Sequence, residues 1–155
     1  KPAFFCLPFP FSAISEEVFH HLNHNYNERM LPVSFKNSHT TLYFGKDKDL
    51  IKTFVSLIGE EVICTVGSLY YTDKVCCYTI DISNSNLYKG SSVPHLTVAT
   101  FGDAKPAESN GALLDINTPC IPTPISGKKY TSKVSAAIYT KNGLEYTCNK
   151  DALKL

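Results

Sequence analysis

His39-Thr40-Thr41-Leu42-Tyr43-Phe44-Gly45 and His95-Leu96-Thr97-Val98-Ala99-Thr100-Phe101-Gly102 are two versions of one pattern: histidine, any residue, threonine, an apolar residue, then an aromatic and a glycine. Both stretches are short, rich in β-branched and aromatic residues and closed by glycine, which reads as strand. Side chains alternate along a strand, so His39 shares a face with Thr41, and His95 with Thr97. Leu42 and Phe44 take the other face of the first strand, Leu96 and Val98 that of the second. Each strand thus offers one imidazole and one hydroxyl to a groove. Side by side, the two would form a four-point cradle.

The rest of the chain supplies a frame for these strands. Residues 3–9 read as a buried first strand ending at prolines. Ser12 or Ser15 caps a helix whose core face is Val18, Phe19, Leu22 and Tyr26 and which ends before Pro32. The first motif strand runs from Val33 to Gly45. A second helix starts in Lys46-Asp47-Lys48-Asp49, continues through Leu50, Phe54 and Ile58, and is stopped by Gly59. Val62 to Tyr71 and Val75 to Ile80 are strands about a turn at 72–74. Residues 81–92 form a polar loop, and 93–101 are the second motif strand. Residues 102–128 carry Gly, Pro, Asn and Ser at high density and read as irregular, anchored by Leu113 and Leu114. A hairpin about Lys141-Asn142-Gly143 closes the chain, with a frayed tail. Helices concentrated in the first half argue for an α+β fold: a largely antiparallel sheet with two helices, in two lobes about a central groove.

The 155 residues are read as one domain, 1–155, with an ordinary soluble composition: 43% hydrophobic and 19% charged. A net charge of +1 excludes a broad electropositive surface for long nucleic acid but suits a small anionic ligand. No apolar run is long enough to span a membrane, and residues 1–10 are too short and proline-rich for a signal peptide. The chain starts at Lys1 rather than Met, as a mature product or a domain of a larger protein would. Of the six cysteines, Cys6, Cys64 and Cys76 sit inside apolar strands and read as small reduced hydrophobes; no Cys-x-x-Cys pair marks a zinc site. A reducing, cytoplasmic setting is expected.

The paired motifs resemble those of the 2H phosphoesterase superfamily, named for its two histidines. The stretch Pro94-His95-Leu96-Thr97-Val98, with Lys105-Pro106, Ser109 to Leu114 and the closing hairpin, is most similar to the 2′,3′-cyclic-nucleotide phosphodiesterase branch and its viral relatives in toroviruses, coronaviruses and rotaviruses. The resemblance implies His39 and His95 as a general acid/base pair and Thr41 and Thr97 as phosphate donors. It implies no cofactor and no metal. Imidazole suits both proton-transfer roles because it titrates near neutrality, and hydroxyls on the same faces can steady the non-bridging phosphate oxygens. Viral members of the branch cleave 2′,5′-linked oligoadenylate, the activator of host ribonuclease L. That substrate is the first expectation, with a monomer in the host cytoplasm. A 2′,3′-cyclic phosphate or RNA end is the second, and a non-catalytic nucleotide-binding module the third. The chain lacks the long helix that bacterial RNA-ligase-type members carry between their last strands, which makes it a trimmed member.

Three further readings concern substrate contacts and the remaining histidines. Tyr43 falls on the His39 face and is a candidate base platform, against packing at the groove edge. The run Ser126-Gly127-Lys128-Lys129-Tyr130 could close over a nucleotide, with Lys129 on phosphate and Tyr130 on a base, against a plain solvated turn. His20 and His24 are one turn apart but lie off the apolar helix face and read as solvated rather than metal-binding.

Overall fold

The computed structural model describes residues 2–10, 30–32 and 38–153. In chain order the elements are β1 (Phe4–Pro8), β2 (Met30–Pro32), β3 (His39–Tyr43), α1 (Lys48–Leu57), β4 (Glu61–Tyr71), β5 (Val75–Ile82), β6 (His95–Phe101), α2 (Ser109–Leu114), β7 (Cys120–Ile121), β8 (Lys129–Lys133), β9 (Ser135–Thr140) and β10 (Gly143–Thr147). The expected first helix, with His20, His21 and His24, lies outside the described residues, as do residues 33–37 of the first motif strand.

All described pairings are antiparallel and fall into two sheets, ordered β10-β9-β1-β3 and β2-β6-β5-β4-β7, with β8 also on β4. This is the expected α+β class, with one motif strand in each sheet. Strand β3 closes the first sheet, and β6 lies inside the second between β5 and β2. The two motif strands approach each other across the seam between sheets rather than pairing within one.

Helix α1 forms where its chemistry directs. The Asp47 carboxylate accepts from the Asp49 and Leu50 N–H groups at 2.9 and 3.1 Å, and Gly59, at φ 93°, ends it in a conformation other residues resist. Its one fully buried side chain, Phe54, stacks on Phe5 of β1 at 5.2 Å and on Tyr43 of β3 at 5.7 Å. The core continues between the sheets through Leu7, Leu42, Tyr78, Leu96 and Val98.

Several expectations are corrected. Met30–Pro32 is a strand on β6, where a helix end was expected. The irregular region holds helix α2, buried through Ser109 and Ala112, while Leu114 is exposed and anchors nothing. This helix covers the outer face of β5, so adjacent Cys76 and Cys77 are both buried although they point to opposite faces. Burial pushes their thiols up to about 12 and about 11. The tail is not frayed at Lys150–Leu153, a 3₁₀ turn that buries Leu153 in the core.

Candidate active site

Both motif strands carry the same irregularity at the same place. Along β3 the ladder with β1 slips between Thr41 and Tyr43, so Leu42 is the extra residue of a bulge. Along β6 the ladder with β5 slips between Thr97 and Ala99, and Val98 is the extra residue. In each strand the bulge falls three positions after the histidine. His and Thr keep strict alternation up to it, and the residues beyond it change face.

That change of face corrects the reading of Tyr43. It is only 8% exposed; its ring turns into the core onto Phe54, and its hydroxyl accepts the Asp47 N–H at 2.9 Å. Tyr43 borders the groove without offering it a stacking face. Phe44, assigned by alternation to the core side, is 73% exposed, lines the groove and meets Phe4 at 6.2 Å between ring centres. Lys129 and Tyr130 are not at the groove. They lie on β8, paired with Thr65 and Cys64, and the Tyr130 ring is 7% exposed with its edge against Phe9 at 5.2 Å. A core-facing position on a strand, not a loop, is the physical reason Tyr130 cannot stack on a base there.

The four motif side chains do converge. His39, Thr41, His95 and Thr97 line one groove of about 680 Å³. His39 is set in an aromatic seat: the Phe4 ring lies 4.8 Å away, Tyr146 packs edge-on at 5.6 Å, and His39 Nδ1 is 2.7 Å from the Tyr146 hydroxyl. Tyr146 reaches it from β10 across β9 and β1, and burial holds that phenol well above its usual range, so it stays protonated.

His95 is held differently. Its Nδ1 is 2.7 Å from the Val93 carbonyl oxygen. A carbonyl only accepts, so Nδ1 carries the proton and Nε2 of the neutral ring carries the lone pair. Burial lowers the pKa of His95 from 6.5, an effect stronger than the opposing pull of the Val93 carbonyl, so the ring is neutral at pH 7. The Thr97 hydroxyl lies 2.7 Å from that of Ser109, a wholly buried residue of α2. The Thr97 hydroxyl also lies 3.4 Å from the Pro106 carbonyl, which can only accept; with Ser109 donating to Thr97, the Thr97 proton rests on this long bond and a phosphate oxygen can compete for it.

The far wall is the segment Tyr88 to Ser91 with Asn110, braced from behind by Ser92. The Lys89 N–H donates to the Leu42 carbonyl at 2.8 Å, tying this wall to the bulge of β3. Ser92 donates from its N–H to the Tyr88 hydroxyl at 3.2 Å and from Oγ to Asn110 Oδ1 at 2.7 Å. Phe4, Tyr146, Ser109 and Lys89 were not foreseen as site residues, since each is brought in by tertiary packing and none lies in a motif.

No protein-family model matches the sequence, and no curated protein matches it. Solved structures do share its fold. E. coli LigT complexed with NADP+ superimposes with a TM-score of 0.56 at 18% identity over 95% of each chain. LigT complexed with 3′-AMP gives 0.54 at 16% identity, again over 95% of each. A fungal RNA kinase gives 0.53 at 15% identity, covering 95% of this chain and 44% of that one. The α+β architecture of largely antiparallel sheet anticipated from the paired motifs is the fold observed, and LigT shares it.

Proposed function

We propose that the chain is a two-histidine phosphodiesterase of short nucleotides, with 2′,5′-linked oligoadenylate as its substrate. The observation that carries the reading is the convergence of His39, Thr41, His95 and Thr97 on one groove from two different sheets. The neighbours of the fold add support, since LigT is found complexed with phosphate and with 3′-AMP.

The two imidazoles divide the work by their partners. Neutral His95, with its Nε2 lone pair, is the base; it takes the proton of the 3′-hydroxyl as O3′ bonds to phosphorus. His39 is the acid; it protonates O5′ as the P–O5′ bond breaks. Tyr146 suits that role because its hydroxyl accepts from the Nδ1–H of the imidazolium, which leaves the Nε2–H as the proton delivered to O5′, and it goes on accepting from Nδ1–H of the neutral ring left behind. Thr41 and Thr97 hold the non-bridging oxygens. The 2′,3′-cyclic phosphate so formed is the substrate of the second reading, opened by water with the roles of the histidines reversed.

The deciding experiment incubates the protein in excess EDTA with 2′,5′-linked triadenylate, 3′,5′-linked triadenylate and 2′,3′-cyclic AMP. Cleavage of the 2′,5′ trimer at an undiminished rate in chelator is expected, and it would connect the chain to removal of the ribonuclease L activator. Turnover of the cyclic nucleotide alone would move the assignment to RNA-end processing. Turnover of none would leave a binding module.

Tyr146→Phe tests the assignment of the acid. Losing the acceptor for the imidazolium Nδ1–H destabilises the charged form, and hydrogen bonds to charged groups contribute about 1.5–3 kcal/mol. The alkaline limb of the kcat/KM profile should therefore move down by about one pH unit, with the acid limb in place. A uniform drop without a shifted limb would make Tyr146 structural only.

A further inference from the structure

The groove has a charge that the two-histidine chemistry does not use. Among the described residues lining it there is no carboxylate, and Lys89 supplies the single permanent charge. Lys89 is exposed, and among the described residues its ammonium has no carboxylate partner, the one recorded ion pair being Lys74 with Glu108. Its backbone, by contrast, is fixed. The N–H is bonded to the Leu42 carbonyl, next to Thr41, and the Tyr88 ring folds back over Gly90 so closely that a Cβ at position 90 would meet it. The Tyr88 hydroxyl receives the Ser92 N–H, and Ser92 is tied to Asn110. The wall thus fixes the Lys89 backbone beside Leu42, the neighbour of Thr41, and Lys89 and Ser91 both line the groove that holds the cradle.

We propose that Lys89, with the Gly90–Ser91 backbone beside it, is a second phosphate site, so that the preferred ligand is a nucleotide bearing a phosphate beyond the one being cleaved. This rests on the phosphodiesterase reading and narrows it: two imidazoles and two hydroxyls already serve the scissile group, and a cyclic mononucleotide leaves Lys89 with nothing to bind. An oligonucleotide or a 5′-phosphorylated end supplies the second anion.

Binding tests this apart from turnover. Adenosine 3′-monophosphate and adenosine 3′,5′-bisphosphate contain no diester for the enzyme to cleave and differ by one phosphate. Calorimetric titration at fixed ionic strength should show the parent protein binding the bisphosphate about three- to fivefold more tightly, the upper scale of one exposed charge pair. Lys89→Ala should reduce that ratio to within about twofold of unity while leaving the monophosphate affinity within about twofold. Lys89→Arg should keep most of the preference. Equal affinities in the parent, or a preference that survives Lys89→Ala, would overturn the site. A parent that prefers the bisphosphate yet cleaves none of the diesters would retain the second phosphate site and remove the enzymatic reading.

Discussion

His95→Ala lowers kcat on the cleaved diester by about a thousandfold, and His39→Ala does the same, within the range general acid or base catalysis contributes. Each histidine performs a proton transfer that water performs poorly, and both transfers belong to one displacement. The double variant should therefore be little worse than either single one, because the two residues act as a unit. His39→Ala also gives up contacts with Phe4 and Tyr146, so its thermal midpoint should fall more than that of His95→Ala. Steady-state kinetics beside a melting curve check this; a single alanine variant within a few-fold of the parent would remove the mechanism. Thr41→Ala and Thr97→Ala should weaken binding as well as rate. If they matter as much as the histidines, the groove binds without cleaving. In the pH profile of the parent, the acid limb should lie below 6.5, where burial places His95. The same depression acts on stability. The unfolded chain takes up this proton first, so the contribution of His95 is complete above 6.5 and is lost as the pH falls from there toward its folded value.

Phe54→Ala destabilises the fold by about 3–5 kcal/mol, the range for truncating a buried phenylalanine. Phe54 is 2% exposed and sits between the rings of Phe5 and Tyr43, so its removal opens a cavity lined by two aromatic faces. Denaturant unfolding followed by circular dichroism reads the loss directly. The effect reaches the site, because Tyr43 follows the bulge at Leu42 and its hydroxyl binds the first N–H of the α1 cap. Phe54→Leu keeps more of the volume and should lose clearly less. A loss under about 1 kcal/mol for the alanine variant would mean that α1 does not hold β3 in place.

The sequence pattern disclosed the parts of the site governed by local rules. Histidine and threonine two residues apart must share a face, and this held in both strands because the bulges come after the threonine. Helix α1 was legible from Asp47 and Gly59, and the last hairpin from Lys141-Asn142-Gly143. What failed was alternation carried past an irregularity: Tyr43 and Phe44 exchanged roles because an inserted residue leaves no local signature in Thr-Leu-Tyr-Phe. Ser109-Asn110-Gly111-Ala112-Leu113-Leu114 is too short and too rich in weak helix formers to show a period, yet it folds onto β5 as a helix. Lys129 and Tyr130 looked like a loop because Gly127 precedes them. Pairing with Thr65 and Cys64 makes them strand, an outcome of tertiary context. Tyr146 stands 107 positions from His39, beyond anything spacing can reveal.

The seam between the sheets bears on what kind of precision the catalyst has. Within either sheet, atoms are registered by hydrogen bonds that fix positions to a few tenths of an ångström. His39 and His95 belong to different sheets, so no such ladder measures the gap between them. That gap is set by how side chains fill the interior, together with isolated links such as the bond from Lys89 N–H to the Leu42 carbonyl. A slide of one sheet over the other by about an ångström breaks no ladder hydrogen bond, yet a misplacement of that size can cost about a hundredfold in rate. The elasticity of the interior therefore determines what fraction of molecules, at any instant, can present both imidazoles to the same phosphorus.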